Sequence, residues 1–406
     1  MTLQRIAGSY SIRSKPISQT DHQIEPQHWT TIEGFKLPIR GPFTQAICNR
    51  GTACLYVSQP GEVPLYYSLT SGWIHWHEQK LALPGKAIRI RQGEAIIWTP
   101  QRCDTFQVDE FPTPDIEPVV TMESAIQPYL SLILKSTAKR LGNSQKVAVS
   151  QSGGIDSLMI TWALLKLGVE VIPLTVCTGM DDLDIMTAAE ALPQMGSVPP
   201  IPCIIQTAEL PELIKEALLC FEDADIGNIK MAIGNILMAR KCQELGIELI
   251  FNGHAQDDLH GCGALALGNY KKLQGTPSER WRDARRKETH DATGMVKMFA
   301  ATFRRYGVGV RMPYYDSELL EWAFSQPTSV FPVHHAKPFA RAVACSILPP
   351  GPWLNAKYNS TGYITGAGYY KDRIYAQVES NFQFLRPWLK EIKEKGWQEI
   401  RKSHAY

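Results

Sequence analysis

What this sequence lacks narrows its class before any motif is read. It has no CxxC pair and no regular cysteine framework. Nine cysteines, an odd number, are scattered over 406 residues, which fits reduced thiols better than disulfides or a zinc site. No apolar run reaches the ~18 uncharged residues that a membrane helix needs. The opening MTLQRIAGSYSIRSK has no apolar signal core, so a soluble, cytoplasmic protein is expected. Charge excess is missing too: 42 Lys plus Arg stand against 40 Asp plus Glu, and nothing global favours a nucleic-acid or membrane surface. There is no internal repeat and no low-complexity tract. A hydrophobic content of 44% is that of an ordinary globular protein, long enough for two or three domains with real cores.

The periodicity divides the chain. From about residue 40 to 100, short runs (ACLYVS, PLYYSL, GWIHWH, AIRIR, AIIW) alternate with the turn-formers QPGE, TSG, LPGK and RQGE. This predicts an antiparallel β unit. Between 101 and 120 the proline-rich, acidic FPTPDIEP cannot continue a helix and suits a linker. A β domain over 1–115 and a second domain over 120–406 are therefore expected. In the second, KVAVS (146–150) reads as a buried strand and SLMITWALLKLG as a helix closed by Gly168. VEVIPLTVC (169–177) reads as a strand, then NIKMAIGNILMARKCQELG and IELIFN (247–252) as another helix and strand. This alternation predicts an α/β domain with a parallel sheet, whose ligands sit at the carboxyl ends of strands.

Two unusual segments, QSGGIDS and NGHAQDDLHG, fall at two such ends. In VAVSQSGGIDSLMI (147–160) an apolar run stops at Ser-Gly-Gly. Gly153 and Gly154 let successive amide hydrogens point inward as an anion nest at the start of a helix, whose dipole also favours negative charge. Ser152 and Ser157 add hydroxyls. Asp156 would repel a phosphate unless a divalent cation lay between them, so the segment implies Mg²⁺ as well as phosphate. No lysine follows the glycines, which excludes the GxxxxGKS loop. The plainer alternative is a glycine turn with a capping Ser or Asp.

SGGIDS resembles the SGGxDS pyrophosphate loop of the N-type ATP pyrophosphatases. Three further segments are similar to the asparagine synthetase branch of that family. Asn252 to Asp258 (NGHAQDD) looks like its SGEGADE segment, Val310 to Asp316 (VRMPYYD) like RVPFLD, and DDLDIMTAAE (181–190) like its acidic stretch leading into a helix. Lys357, in NAKYNS, stands where that branch has a lysine in an RxKxxF-like segment. The resemblance covers roughly residues 120–370. It implies a ligase that splits ATP to AMP and pyrophosphate, adenylates a carboxylate and passes the acyl group to an amine. By position, Ser152, Gly153, Gly154, Ser157 and Gly253 would hold the nucleotide, Val176 would help seat the adenine, and Asp156 and Asp257 would bind Mg²⁺. Lys357 would stabilise developing charge. The cofactors implied are ATP and Mg²⁺.

The departures are informative. CLYVSQPGEVPLYYSL (54–69) resembles the VRDRxGxKPLYY segment of the branch's glutaminase domain, but the front domain is shorter and Thr2 stands where the nucleophilic cysteine would be. A degenerate glutaminase-like domain is expected, as in β-lactam synthetases and lasso-peptide cyclases, where the amine belongs to the substrate. The expected partner is then a small molecule or peptide carrying a carboxylate and an amine, together with a second copy or a biosynthetic partner protein. His254 replaces the branch's usual Glu, a place held by Tyr in β-lactam synthetases, and could act as general base. It could equally pack against the sheet.

The rival from another class is a sulfurtransferase acting on a nucleobase or RNA, with Cys177 and Cys262 as sulfur carriers. The basic stretch 271–290 reads as a solvated face or as a receiver of acidic ligands. WLKEIKEKGWQEIRK reads as a surface amphipathic helix.

Overall fold

The computed structural model describes residues 28–39, 44–49, 51–58, 64–70, 72–77, 83, 86–108, 113–117, 120–221, 226–261, 264–292, 296–334, 337–354 and 387. The predicted β unit opens with a hairpin of β1 (His28–Ile32) and β2 (Phe35–Ile39). Its loop residues Glu33 and Gly34 have φ of 46° and 83°, the left-handed pair that suits a two-residue turn between right-twisted strands. Then follow β3 (Thr44–Asn49), β4 (Thr52–Val57), β5 (Tyr66–Thr70), β6 (Trp73–His77), β7 (Ile88–Arg89), β8 (Glu94–Trp98) and β9 (Cys103–Gln107).

They form an antiparallel sheet in the order β3-β4-β8-β9 and a second in the order β6-β5-β7. Strand β4 has apolar residues on both faces because both are covered. Ala53, Leu55 and Val57 share one core with Ile74 and Trp76, while Cys54 and Tyr56 share another with Phe35 and Leu37. The result is three layers, hairpin, four strands and three strands. β9 lies inside the stretch expected to be linker. Its pairing with β8, Trp98 opposite Cys103, extends the sheet to Gln107 before the prolines begin.

The second part starts with α1 (Met122–Leu141), whose N-cap Thr121 exchanges hydrogen bonds with Ser124 at 3.2 Å. Next come β10 (Lys146–Ser150), α2 (Ile155–Lys166), β11 (Glu170–Cys177), α3 (Leu183–Gln194), β12 (Ile201–Ile204), α4 (Leu210–Phe221), α5 (Ile226–Glu244) and β13 (Leu249–Phe251). After these run α6 (Gln256–His260), α7 (Ala264–Tyr270), α8 (Pro277–Ala292), α9 (Val296–Arg305), β14 (Gly309–Arg311), α10 (Ser317–Ser325) and α11 (Pro338–Ile347). The five strands form one parallel sheet in the order β12-β11-β10-β13-β14. The chain order reverses between β10 and β13, so a crevice opens at their carboxyl ends. Both unusual segments emerge there.

The VRMPYYD segment is locked against α1. Buried Arg140 donates to Asp316 Oδ2 and to the Tyr315 carbonyl, each at 3.0 Å, and the Ser136 hydroxyl donates to the Pro313 carbonyl at 2.5 Å. Asp316 in turn accepts from the Glu318 amide at the start of α10. The Arg140 guanidinium holds the Asp316 carboxyl below its ordinary range despite burial. A lowered carboxyl pKa means that this support is complete above about pH 4 and is lost as the pH falls below it. Among the described residues no helix is long and apolar enough to cross a membrane.

Candidate functional site

The glycine loop turns as its composition requires. Gly153 has φ +74°, and a Cβ there would lie 2.8 Å from Thr187 Cβ and 3.0 Å from the Ala188 amide nitrogen. Only glycine therefore fits between β10 and α3. Gly154 is the N-cap of α2 and brings no side chain to that helix end. The loop is held by serines: Ser152 Oγ accepts from the Gly154 amide at 3.3 Å, and Ser157 Oγ donates to the Gly154 carbonyl at 3.0 Å. An amide-rich helix start with hydroxyls beside it suits phosphate oxygens.

The second segment rides on the first. The Asn252 amide donates to the Arg311 carbonyl at 2.8 Å, and Asn252 Oδ1 accepts from the His254 amide at 2.7 Å. Gly253 sits against the first turn of α2: a Cβ would lie 3.1 Å from the Asp156 carbonyl carbon and 3.1 Å from the Ser157 amide nitrogen. That neighbour is helix backbone and cannot yield. Gly253→Ala is expected to separate the two segments, costing about 1–3 kcal/mol of stability, which thermal melts check. Ala255 follows with φ +79°, a left-handed value that an alanine adopts at some strain.

This stacking brings Asp156 and Asp257 together, and a third residue joins them. Lys337 Nζ donates to Asp156 Oδ2 at 2.5 Å and also pairs with Asp257 Oδ1. Sequence reading missed Lys337. It lies 181 residues from Asp156, and the only local signal is Pro338 behind it, at the first position of α11. Its own backbone is left-handed, φ 51° and ψ 55°, although residues before proline favour extended conformations. Asp156 Oδ1 is buried and has no hydrogen-bond partner among the described residues. Burial pushes the Asp156 carboxyl up to about 6, against the opposing pull of Lys337.

These residues fit a divalent cation. Two carboxylate oxygens converge on one positive point, and one further oxygen of Asp156 is left over. Among the described residues no group of three or more His, Cys, Asp or Glu could hold a metal. The cation would thus be completed by phosphate oxygens and water, as Mg²⁺ commonly is in nucleotide sites.

His254 lies in the same loop, half-buried, its ring centroid 5.2 Å from Phe299 and 5.9 Å from Tyr315. Asp258 carries a buried Oδ2 without a hydrogen-bond partner among the described residues. Burial, then the charges of Asp257 and Glu288, push its carboxyl up to about 8. For an acid with a raised pKa, folding is favoured in full below the unfolded value near 4 and loses that support as the pH climbs to about 8. Asp258→Asn is expected to raise the melting temperature by about 3–6 °C at pH 8 and to change little at pH 4. Melts across that range check it.

Val176 is at the carboxyl end of β11 with its side chain in the core. Lys357 and Cys262 lie outside the described residues, as does the C-terminal segment read as an amphipathic helix. Cys177 is buried and its thiol is pushed up to about 11, poor properties for a sulfur nucleophile. His260 is packed between Phe331 and Phe339 and paired with the Tyr129 hydroxyl at 3.1 Å. Burial holds it neutral.

The basic stretch is not simply a solvated face. Trp281 is buried, and Arg285 is fully buried, donating to the Leu259 and Ala323 carbonyls at 3.0 Å each. Arg285 thus ties α8 to α6 and α10, Trp281 packs against Tyr270 of α7, and both are closed to an acidic ligand.

Residues 129–304 match the family model described as Asparagine synthase. A stretch of 215 residues is 24% identical to an asparagine synthetase [glutamine-hydrolyzing] of Asparagus officinalis. That match covers 49% of this chain and 35% of the relative, so the chain spans about a third of the relative's length.

Proposed function

Over residues 129–304 the chain is asparagine synthetase-like, and from that premise we propose an ATP-dependent, amide-forming ligase that releases AMP and pyrophosphate. The observation that carries this reading is the convergence of Asp156, Asp257 and Lys337 beside the glycine loop, at the carboxyl ends of β10 and β13. In the first step a carboxylate oxygen of the substrate attacks the α-phosphorus of ATP. The bond to the bridging oxygen breaks and pyrophosphate leaves. In the second, an amine nitrogen attacks the acyl carbon, the bond to AMP breaks and the nitrogen gives up a proton.

The loop amides, Ser152 and Ser157 bind the phosphate oxygens, and the Lys337 ammonium balances charge on the departing pyrophosphate. Mg²⁺ held by Asp156 and Asp257 would screen the phosphate charge. His254, in the same loop, takes the proton of the amine. Val176 underlies the adenine, and Lys357 stabilises the later oxyanion.

The amine is carried by the substrate rather than released from glutamine, and the front domain over 1–115 is a scaffold. In support, burial pushes the Cys48 and Cys54 thiols up to about 12, unlike a glutaminase nucleophile. The substrate is then a small molecule or peptide with both a carboxylate and an amine, of β-lactam synthetase or lasso cyclase type.

The test is product analysis with Mg·ATP and candidate substrates, adding hydroxylamine to capture an activated acyl group. AMP, pyrophosphate and an acyl hydroxamate, unchanged by glutamine, support the reading. ADP as the nucleotide product, or dependence on glutamine, overturns the corresponding part of it.

A further inference from the structure

The residue just before the glycine loop is chemically out of place. Gln151 is buried, 2% exposed, at a position where an apolar side chain would fill the core without needing partners. Its polar groups are all used. The backbone amide donates to the Leu174 carbonyl at 2.8 Å, and its carbonyl accepts from the Thr175 hydroxyl at 2.7 Å. The side-chain Oε1 accepts from the Thr161 hydroxyl at 2.8 Å, and Nε2 donates to Ser157 Oγ at 2.8 Å.

A hydroxyl has one proton and two lone pairs. Ser157 Oγ receives hydrogens from Gln151 Nε2 and, at 3.3 Å, from the Ser152 amide. Its own proton is left for partners in the loop, the Gly154 carbonyl at 3.0 Å or Ser152 Oγ at 3.3 Å, and donation to a phosphate oxygen would take the place of that bond. Were the carboxamide reversed, Oε1 would draw that proton inward, away from the loop. The Gly154 carbonyl, which would lose the Ser157 proton, opposes the reversal, and Thr161, one turn further along α2, anchors the carboxamide through its hydroxyl on Oε1.

We propose that Gln151, held by Thr161, is a positioning residue that keeps the Ser157 hydroxyl a donor toward a phosphate oxygen of the bound nucleotide or pyrophosphate. This rests on the ligase reading for the identity of the ligand. It adds that phosphate affinity is set from beneath the loop by a buried amide.

The test is direct binding of ATP and of pyrophosphate, each with Mg²⁺, to the wild type and to Gln151→Met, Thr161→Val, Thr161→Ser, Ser157→Ala and the double variant Gln151→Met/Ser157→Ala. Gln151→Met is expected to weaken pyrophosphate binding about tenfold, the size of one phosphate hydrogen bond. The double variant should bind no more weakly than Ser157→Ala alone, because Gln151 acts only through Ser157. Thr161→Val should weaken binding and Thr161→Ser should restore it, a pair that remains decisive if Gln151→Met does not fold. Additive losses in the double variant, or equal binding by Thr161→Val and the wild type, overturn the inference while leaving the ligase reading intact. Failure of the wild type to bind either ligand overturns both.

Discussion

Lys337→Met is expected to lower pyrophosphate exchange into ATP by about 10²–10³-fold, the loss seen when a preorganised charge-stabilising donor is removed. The side chain bridges two carboxylates, Asp156 and Asp257, and is itself largely buried. Methionine keeps the stem and deletes the charge. Two like charges then face each other with no counter-charge between them, which opposes ionisation of Asp156 in addition to its burial. Lys337→Arg should rescue little, since a planar guanidinium cannot replace a compact ammonium at a converging point. Exchange rates of the two variants under saturating Mg·ATP check this. Activity above a third of wild type in Lys337→Met would make the lysine a structural tie.

Asp156→Asn is expected to abolish turnover, by about 10³-fold or more on the scale of groups that stabilise developing charge, without destabilising the protein at pH 8. The two effects have opposite origins. An amide cannot supply the anionic oxygen that faces Lys337 and a cation. The carboxylate, however, is desolvated, and its pKa is raised to about 6. A raised pKa favours folding below about 4 and withdraws that support as the pH passes 6, so ionised Asp156 is a burden at pH 8 that asparagine removes. Melting temperatures and exchange rates of the same samples check the pair. A melting temperature well below wild type at pH 8 would mark Asp156 as structural.

Local segments were legible in the sequence. SGGIDS and NGHAQDD are each contiguous, each follows a strand, and a Cβ would clash at Gly153 and be tightly crowded at Gly253. That the strands run parallel followed from the alternation of strand and helix, whereas their order did not. Short strands were less legible: β9, β12 and β14 are three to five residues long, and their neighbours, rather than their own pattern, decide the pairing. Lys337 was invisible because nothing within its own segment indicates that α11 will begin beside α2. Arg285 misled in the opposite direction. A charge run looks solvated, yet this guanidinium is satisfied by two carbonyls that only the packing of α6 and α10 supplies.

The most direct measurement is exchange of labelled pyrophosphate into ATP by the purified protein with Mg²⁺, challenged separately with amino acids, other carboxylic acids, peptides, RNA and nucleobases. Exchange that requires one carboxylic acid, and that disappears in Asp156→Asn, is the predicted result and identifies the acyl half of the substrate pair. Exchange that requires RNA or a nucleobase, or that persists in Asp156→Asn, would contradict acyl adenylation at this site.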